Sequence, residues 1–174
     1  MKTITFQNYL ILFLLILTGL VLRIYYSSLE NYWFDEQITF FIADPQLSLK
    51  DTILRSQELD RSPFFFNFLL KIWFNIFGYT PESGRNFSVF ISLLSLLIFF
   101  KIGSIFKNKS IQLMIVFLSS LNIFLIDYAG ETRAYTTVFL FSLINIFIFI
   151  KLYILNQKKF LTNLLFVIFS IFCL

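Results

Sequence analysis

Residues 64–77 read FFFNFLLKIWFNIF, an apolar run bounded by Pro63 and Gly78. Whether this run crosses a membrane decides the topology of everything that follows it. A span needs about 20 mostly apolar residues, whereas this run has 14 and includes Lys71. Two structures must therefore be compared, a short crossing and a helix that lies on the membrane surface.

The composition of the chain indicates lipid as its main solvent. The chain is 58% hydrophobic and only 14% charged, with 26 Phe among 174 residues, whereas soluble domains are about a quarter charged. A chain of this length cannot bury so much apolar surface in its own interior. There is no His, so acid–base chemistry must use other residues, and the single Cys173 excludes an internal disulfide. Lys and Arg are scattered along apolar segments, so we expect no nucleic-acid partner.

The apolar runs predict an all-α, polytopic membrane protein. The candidate spans are residues 9–25, 86–106, 110–128, 134–155 and 160–174. The first run lacks a small-residue cleavage site, so we predict an uncleaved span rather than a signal peptide. The last is shorter than a span, so we expect it to be incomplete and the sequence to be the N-terminal part of a longer protein.

The lysine distribution decides between the two structures for residues 64–77, because cytoplasmic loops are enriched in Lys and Arg. If the run does not cross, all ten acids lie on or near the outer side, and the inner side has seven lysines and no acid. These lysines are Lys2, Lys101, Lys107, Lys109, Lys151, Lys158 and Lys159. We therefore predict a cytoplasmic N-terminus and an outer loop of about residues 27–84 that carries residues 64–77 as an interfacial helix.

The polar residues of this run support that placement. Asn67, Lys71 and Asn75 are four apart, so they form one stripe on a helix, and the other face consists of Phe, Leu, Ile and Trp73. This pattern is typical of an amphipathic helix in the interface plane. An ordinary buried helix with three tolerated polar residues is the alternative.

Two short charged segments fall on the predicted outer face. WFDE (33–36) contains Asp35 and Glu36, and ETRAY (131–135) contains Glu131 and Arg133. Each has a simple explanation: WFDE as an interfacial aromatic anchor with its acids in water, and ETRAY as a helix start with an acid near its positive end. Because the topology returns both to one surface, we predict that together they form a functional site.

The order of these segments resembles the start of the GT-C membrane glycosyltransferases. WFDE is followed by SPFFFNFLLKIWFNIFGYTPESGRNFSVFISLL and then by ETRAY, which is most similar to the protein O-mannosyltransferase and aminoarabinose-transferase group. The similarity covers nearly the whole chain, but its single motifs are short. The family's His-Pro-Pro or Pro-Pro element is reduced here to Arg61-Ser62-Pro63.

The resemblance implies an enzyme of the cytoplasmic (inner) membrane that works on its outer face. It would move a sugar from a polyprenyl-phosphate donor to a hydroxyl of a lipid, glycan or protein acceptor. Asp35 would be the general base, with burial against Trp33 and Phe34 strengthening it, and Glu36 would support it or bind the acceptor.

The same resemblance implies a cationic site for the leaving phosphate. Arg133, Arg61 and Lys71 are the candidate cations, and Tyr135 belongs to the same motif as Arg133. Glu131 would orient Arg133, or would join Asp35 in holding Mg²⁺ or Mn²⁺, the only cofactor considered. The alternatives are a non-catalytic membrane protein, such as a transporter or polymer-export subunit, and an inactive truncated remnant.

Overall fold

A computed structural model describes residues 6–60, 63–156 and 160–172 of the chain. Within these ranges the chain is helical and contains no β-strand. The α-helices, in chain order, are α1 (Phe6–Leu29), α2 (Phe34–Ile42), α3 (Leu49–Leu59), α4 (Phe64–Phe77), α5 (Pro81–Gly103), α6 (Lys109–Ser120), α7 (Ile123–Asp127), α8 (Tyr135–Phe149) and α9 (Phe160–Phe172). A 3₁₀ turn, Ser104–Phe106, extends α5, and a π-helical turn, Ile150–Ile154, extends α8.

Three of the helical segments are long and apolar enough to cross a membrane: Phe6–Leu29, Pro81–Phe106 and Tyr135–Ile154. They agree with the predicted spans 9–25, 86–106 and 134–155. Large apolar side chains are exposed along all three, as is expected of helices whose outer surface contacts lipid. The chain therefore has the features of a membrane protein.

Helix α5 lies at the centre of the bundle and packs against α1, α4, α6 and α8. Its start is specified locally: the Thr80 hydroxyl accepts a hydrogen bond from the Ser83 N–H at 3.2 Å, and Pro81 occupies the first turn, where no N–H is needed. The buried core lies between α4, α5 and α8 and includes Phe66, Leu70 and Phe87.

The predicted span 110–128 is not one continuous helix. Helix α6 ends at Ser120, and α7 begins after Asn122, whose side chain accepts a hydrogen bond from the Leu125 N–H at 3.1 Å. An Asn in this capping position competes with continuation of the helix. The Ser120 carbonyl, at the end of α6, accepts instead from Arg23 of α1 at 3.2 Å.

The segment predicted as a long loop, about residues 27–84, contains three helices rather than one. Helix α4 has the predicted bounds, 64–77, and ends where Gly78 takes a φ of +96°, a conformation that favours glycine. Helices α2 and α3 were not predicted. Both are short, and each begins with local capping, as in α3, where the Ser48 hydroxyl accepts from the Asp51 N–H at 3.2 Å.

The polar stripe of α4 faces protein as well as solvent. Asn67 and Lys71 are buried and Asn75 is exposed. The Asn67 amide donates to the Ser56 hydroxyl of α3 at 3.1 Å, and the Lys71 ammonium donates to the backbone carbonyls of Asp44 and Leu47. Two of the three stripe residues therefore attach α4 to the preceding segment, Asn67 to α3 and Lys71 to the loop between α2 and α3.

Candidate functional site

The two charged segments predicted from the sequence do meet in the structure, and Glu36 makes the closest contact between them. Its carboxylate accepts a hydrogen bond from the Thr132 N–H at 2.7 Å and another from the Trp33 N–H at 3.0 Å. It also forms an ion pair with Arg85 of α5 at 2.8 Å. Glu36 is completely buried, so its role is to join the start of α2 to the 131–135 turn.

Hydrogen bonding keeps the Glu36 carboxylate charged despite this burial. Burial alone would raise its pKa, but the Arg85 guanidinium and the N–H groups of Thr132 and Trp33 outweigh that effect and lower the pKa below its usual range. The predicted acceptor-binding role needs an accessible carboxylate, which Glu36 does not have. The structure leaves Glu36 the supporting role.

Arg85 was not predicted as part of the site. Besides Glu36, its guanidinium donates to the backbone carbonyls of Ser27 at 2.6 Å, Glu30 at 2.7 Å and Asn31 at 2.9 Å, at and just beyond the end of α1. One sequence signal could have identified it. A cation in the first turns of a helix is unfavourable with the helix dipole, so an Arg at that position needs strong partners elsewhere.

Arg133 contacts three groups through one nitrogen. Its Nη1 donates to the Asp60 carboxylate at 2.8 Å, to the Thr39 hydroxyl at 3.0 Å and to the Asp35 backbone carbonyl at 3.3 Å. Burial lowers the Arg133 pKa. The Asp60 carboxylate, with smaller contributions from Tyr135 and Asp35, raises it by more than burial lowers it, so the guanidinium stays charged. The expected approach of Asp35 and Arg133 is observed, through the Asp35 carbonyl rather than its carboxylate.

The expected burial of Asp35 is wrong. The Asp35 side chain is exposed, and Trp33 and Phe34 are themselves 58% and 73% exposed. The reason is the helical geometry of α2, in which neighbouring side chains point about 100° apart. Glu36 takes the inward direction, so Asp35 points outward.

Glu131 has the environment that had been expected for Asp35. It is half-buried, and burial raises the pKa of its carboxyl, followed by repulsion from Glu36, Asp127 and Glu30, while Arg133 acts in the opposite direction. A carboxyl shifted in this way is closer to the working range of a general base at neutral pH.

A cavity of about 640 Å³ opens beside Arg133. Its charged lining residues are Asp60 and Arg133. Tyr128 and Tyr135 also line it, and the centroids of their two rings are 4.9 Å apart. The rest of its lining is mainly apolar. Val138, Phe139 and Ser142 contribute to it from one face of α8, and Ser92 and Leu125 line it as well. The cavity therefore combines a cationic group with an apolar channel along a membrane-length helix.

The other predicted site residues are Tyr135, Lys71 and Arg61. Tyr135 lines the cavity, and its hydroxyl accepts a hydrogen bond from Arg133. Lys71, predicted as a phosphate ligand, donates its ammonium to the Asp44 and Leu47 carbonyls and does not line this cavity. Arg61 lies outside the described residues.

The sequence predicts Asp35 and Glu131 as the pair that could hold Mg²⁺ or Mn²⁺. Within residues 6–60, 63–156 and 160–172, no group of three or more Asp, Glu, His or Cys side chains is placed to hold a metal ion. A cation held by these two carboxylates stays a prediction. The chemistry proposed below uses side chains alone.

Comparison of the chain with protein-family models, curated proteins and solved structures finds no match. The site must therefore be interpreted from its own geometry.

Proposed function

We propose that the protein is a membrane glycosyltransferase that takes a sugar from a polyprenyl-phosphate donor. The observation that carries this proposal is the cavity beside Arg133, with a guanidinium and two tyrosines at one end and an apolar wall along α8. A lipid-linked phosphate is complementary to this cavity, because it has an anionic group for the guanidinium and an apolar chain for the apolar wall. Arg suits the phosphate because its planar guanidinium can donate two parallel hydrogen bonds to phosphate oxygens.

In the proposed reaction an acceptor hydroxyl oxygen attacks the anomeric carbon of the donor sugar. The bond from that carbon to the phosphate oxygen breaks, its electron pair stays on the phosphate, and the hydroxyl proton passes to a carboxylate. Arg133 stabilises the charge that develops on the phosphate. Asp35 is the proposed base, because it is exposed and its backbone contacts Arg133. Glu131 is the rival base, because of its raised pKa.

Substitution of the two acids in the full-length protein tests this assignment. We expect Asp35→Asn to lower sugar transfer by about 10²–10⁴, as for loss of a general base, with the protein still in the membrane. Transfer from a polyprenyl-phosphate sugar is measured in membranes at matched expression. Near wild-type transfer by Asp35→Asn together with loss in Glu131→Gln would move the base to Glu131. Full transfer by both variants would contradict base catalysis by either acid.

The proposal also requires both charged segments to lie outside the cytoplasmic membrane, with the N-terminus inside. The lysine distribution supports this topology. Single-cysteine labelling with an impermeant reagent, in a background lacking Cys173, checks it: a cysteine at Ser48 should react from outside, and one at Asn108 only after the membrane is opened. Reaction of the Asn108 cysteine from outside would contradict the interfacial placement of α4.

A non-catalytic function has one observation in its favour. Arg23 is fully buried within α1, and a buried charge in a membrane span is typical of transporters. Its hydrogen bonds, however, go to the Ser92 hydroxyl at 2.8 Å and to the carbonyls of Gly19 and Ser120. These contacts attach α1 to α5 and α6, which gives Arg23 a structural role that needs no transport path.

A further inference from the structure

Arg133 and Asp60 form an ion pair on the wall of the cavity itself. The Arg133 Nη1 lies 2.8 Å from the Asp60 carboxylate, and the two side chains are 15% and 11% exposed. Both residues line the 640 Å³ cavity. A ligand that fills the cavity and uses Arg133 therefore meets a carboxylate already bound to that guanidinium.

The Arg133 Nη1 also donates to two neutral groups. The Thr39 hydroxyl and the Asp35 carbonyl lie at 3.0 and 3.3 Å and belong to the first two turns of α2. They hold the guanidinium in position without neutralising it. Loss of Asp60 from the pair would therefore leave Arg133 oriented and charged beside the cavity.

Asp60 is positioned so that its side chain can be replaced without disturbing a helix. It directly follows α3, its backbone is extended (φ −147°, ψ 136°), and its N–H caps the Ser56 carbonyl. None of these backbone features depends on the charge of the side chain. An Asn at this position keeps the size of the side chain and the backbone contact, and it removes the negative charge that pairs with Arg133.

We infer that Asp60 is a displaceable internal anion that competes with an anionic headgroup for Arg133 in the cavity. This inference rests on the proposed function. To bind Arg133, the headgroup of the donor lipid must replace the Asp60 carboxylate there. A phosphate can do so because it returns two charged hydrogen bonds to the guanidinium. A neutral headgroup leaves the ion pair intact and is excluded from Arg133.

The experiment measures binding of tetradecyl phosphate to the purified full-length protein in a neutral detergent by titration calorimetry, with tetradecanol as the neutral comparison. Asp60→Asn should bind tetradecyl phosphate about fivefold more tightly than the wild type, the upper end of what partly exposed ion pairs contribute. Tetradecanol should gain much less affinity from Asp60→Asn than tetradecyl phosphate does, because its hydroxyl offers the freed Arg133 no charged hydrogen bond. Arg133→Gln, alone or with Asp60→Asn, should remove the preference for the phosphate.

Glu58→Gln is the matched control, because Glu58 is an exposed acid two residues earlier on α3. It removes the same charge from the same helix and should leave the affinity unchanged. Equal or weaker phosphate binding by Asp60→Asn would overturn the inference, as would an equal gain in Glu58→Gln. If folding of Asp60→Asn is impaired, Asp60→Ser provides the same comparison.

The outcomes separate this inference from the proposed function. Tighter phosphate binding by Asp60→Asn without sugar transfer in any assay would keep the inference and reject the transferase. Transfer by the wild type with no change in phosphate affinity on Asp60→Asn would reject the inference alone. Absence of tetradecyl phosphate binding to both proteins would reject both.

Discussion

The two ion pairs near the 131–135 turn have the same length and different surroundings. Glu36–Arg85 and Arg133–Asp60 both measure 2.8 Å. The Glu36 side chain is 1% exposed and accepts two backbone N–H groups besides its Arg, whereas Arg133–Asp60 lies on a cavity wall. The distance of an ion pair therefore says little about its role. Burial and the number of satisfied partners indicate that the first pair is structural and the second is accessible to a ligand.

The largest effect should come from Glu36→Gln. The change leaves Arg85 buried without its counter-charge and weakens the bond to the Thr132 N–H, and breaking one side of a buried pair typically costs about 3–5 kcal/mol. We expect this loss in the free energy of unfolding of the detergent-solubilised protein. Glu58→Gln should stay within about 0.5 kcal/mol of the wild type. A Glu36→Gln protein as stable as that control would show that the pair does not hold the turn.

A smaller and pH-dependent effect is expected for Glu131→Gln. Because folding raises the Glu131 pKa above 4.5, the carboxyl contributes stability that is present below that pH and is lost as the pH rises through the folded value. The variant should therefore gain stability relative to the wild type as the pH rises from about 4 to 7. Thermal unfolding at both pH values checks this, and the opposite trend would contradict the raised pKa.

The smallest effect on stability is expected for Asp60→Asn. The side chains of this pair are 15% and 11% exposed, more than those of Glu36–Arg85, and Arg133 keeps its Thr39 and Asp35 partners when Asp60 is replaced. Its free energy of unfolding should change much less than that of Glu36→Gln when both are measured in one detergent. A loss as large as that of Glu36→Gln would mean that Arg133–Asp60 is a structural pair as well.

Apolar runs, with Pro63 and Gly78 bounding the shortest of them, were sufficient to predict the three long helices and the bounds of α4, because length and hydropathy are local properties of the sequence. The meeting of WFDE with ETRAY was also predicted, from their shared side of the bundle. The sequence could not show which of Asp35 and Glu36 points inward, because that depends on the rotation of α2 against α5. Arg85 donates to the Glu36 carboxylate and to carbonyls, and Lys71 donates to carbonyls, all far away in the sequence, so no local pattern indicates these partners.

The break between α6 and α7 has both a local cause in the sequence and a tertiary one. Asn122 is a visible capping residue, but the surrounding apolar run favours a continuous helix by composition alone. The position of Arg23 across from the Ser120 carbonyl stabilises the break, and that contact is tertiary.

Sugar transfer by Arg133→Gln tests the central claim most directly. The variant removes the guanidinium from the cavity and leaves Glu36–Arg85 intact, so the amount of folded protein in the membrane should match that of Glu58→Gln. We predict that transfer from a polyprenyl-phosphate sugar falls by about 10²–10³, as for loss of one group that stabilises developing charge. Wild-type transfer at matched amounts of folded Arg133→Gln protein would contradict a catalytic site at this cavity.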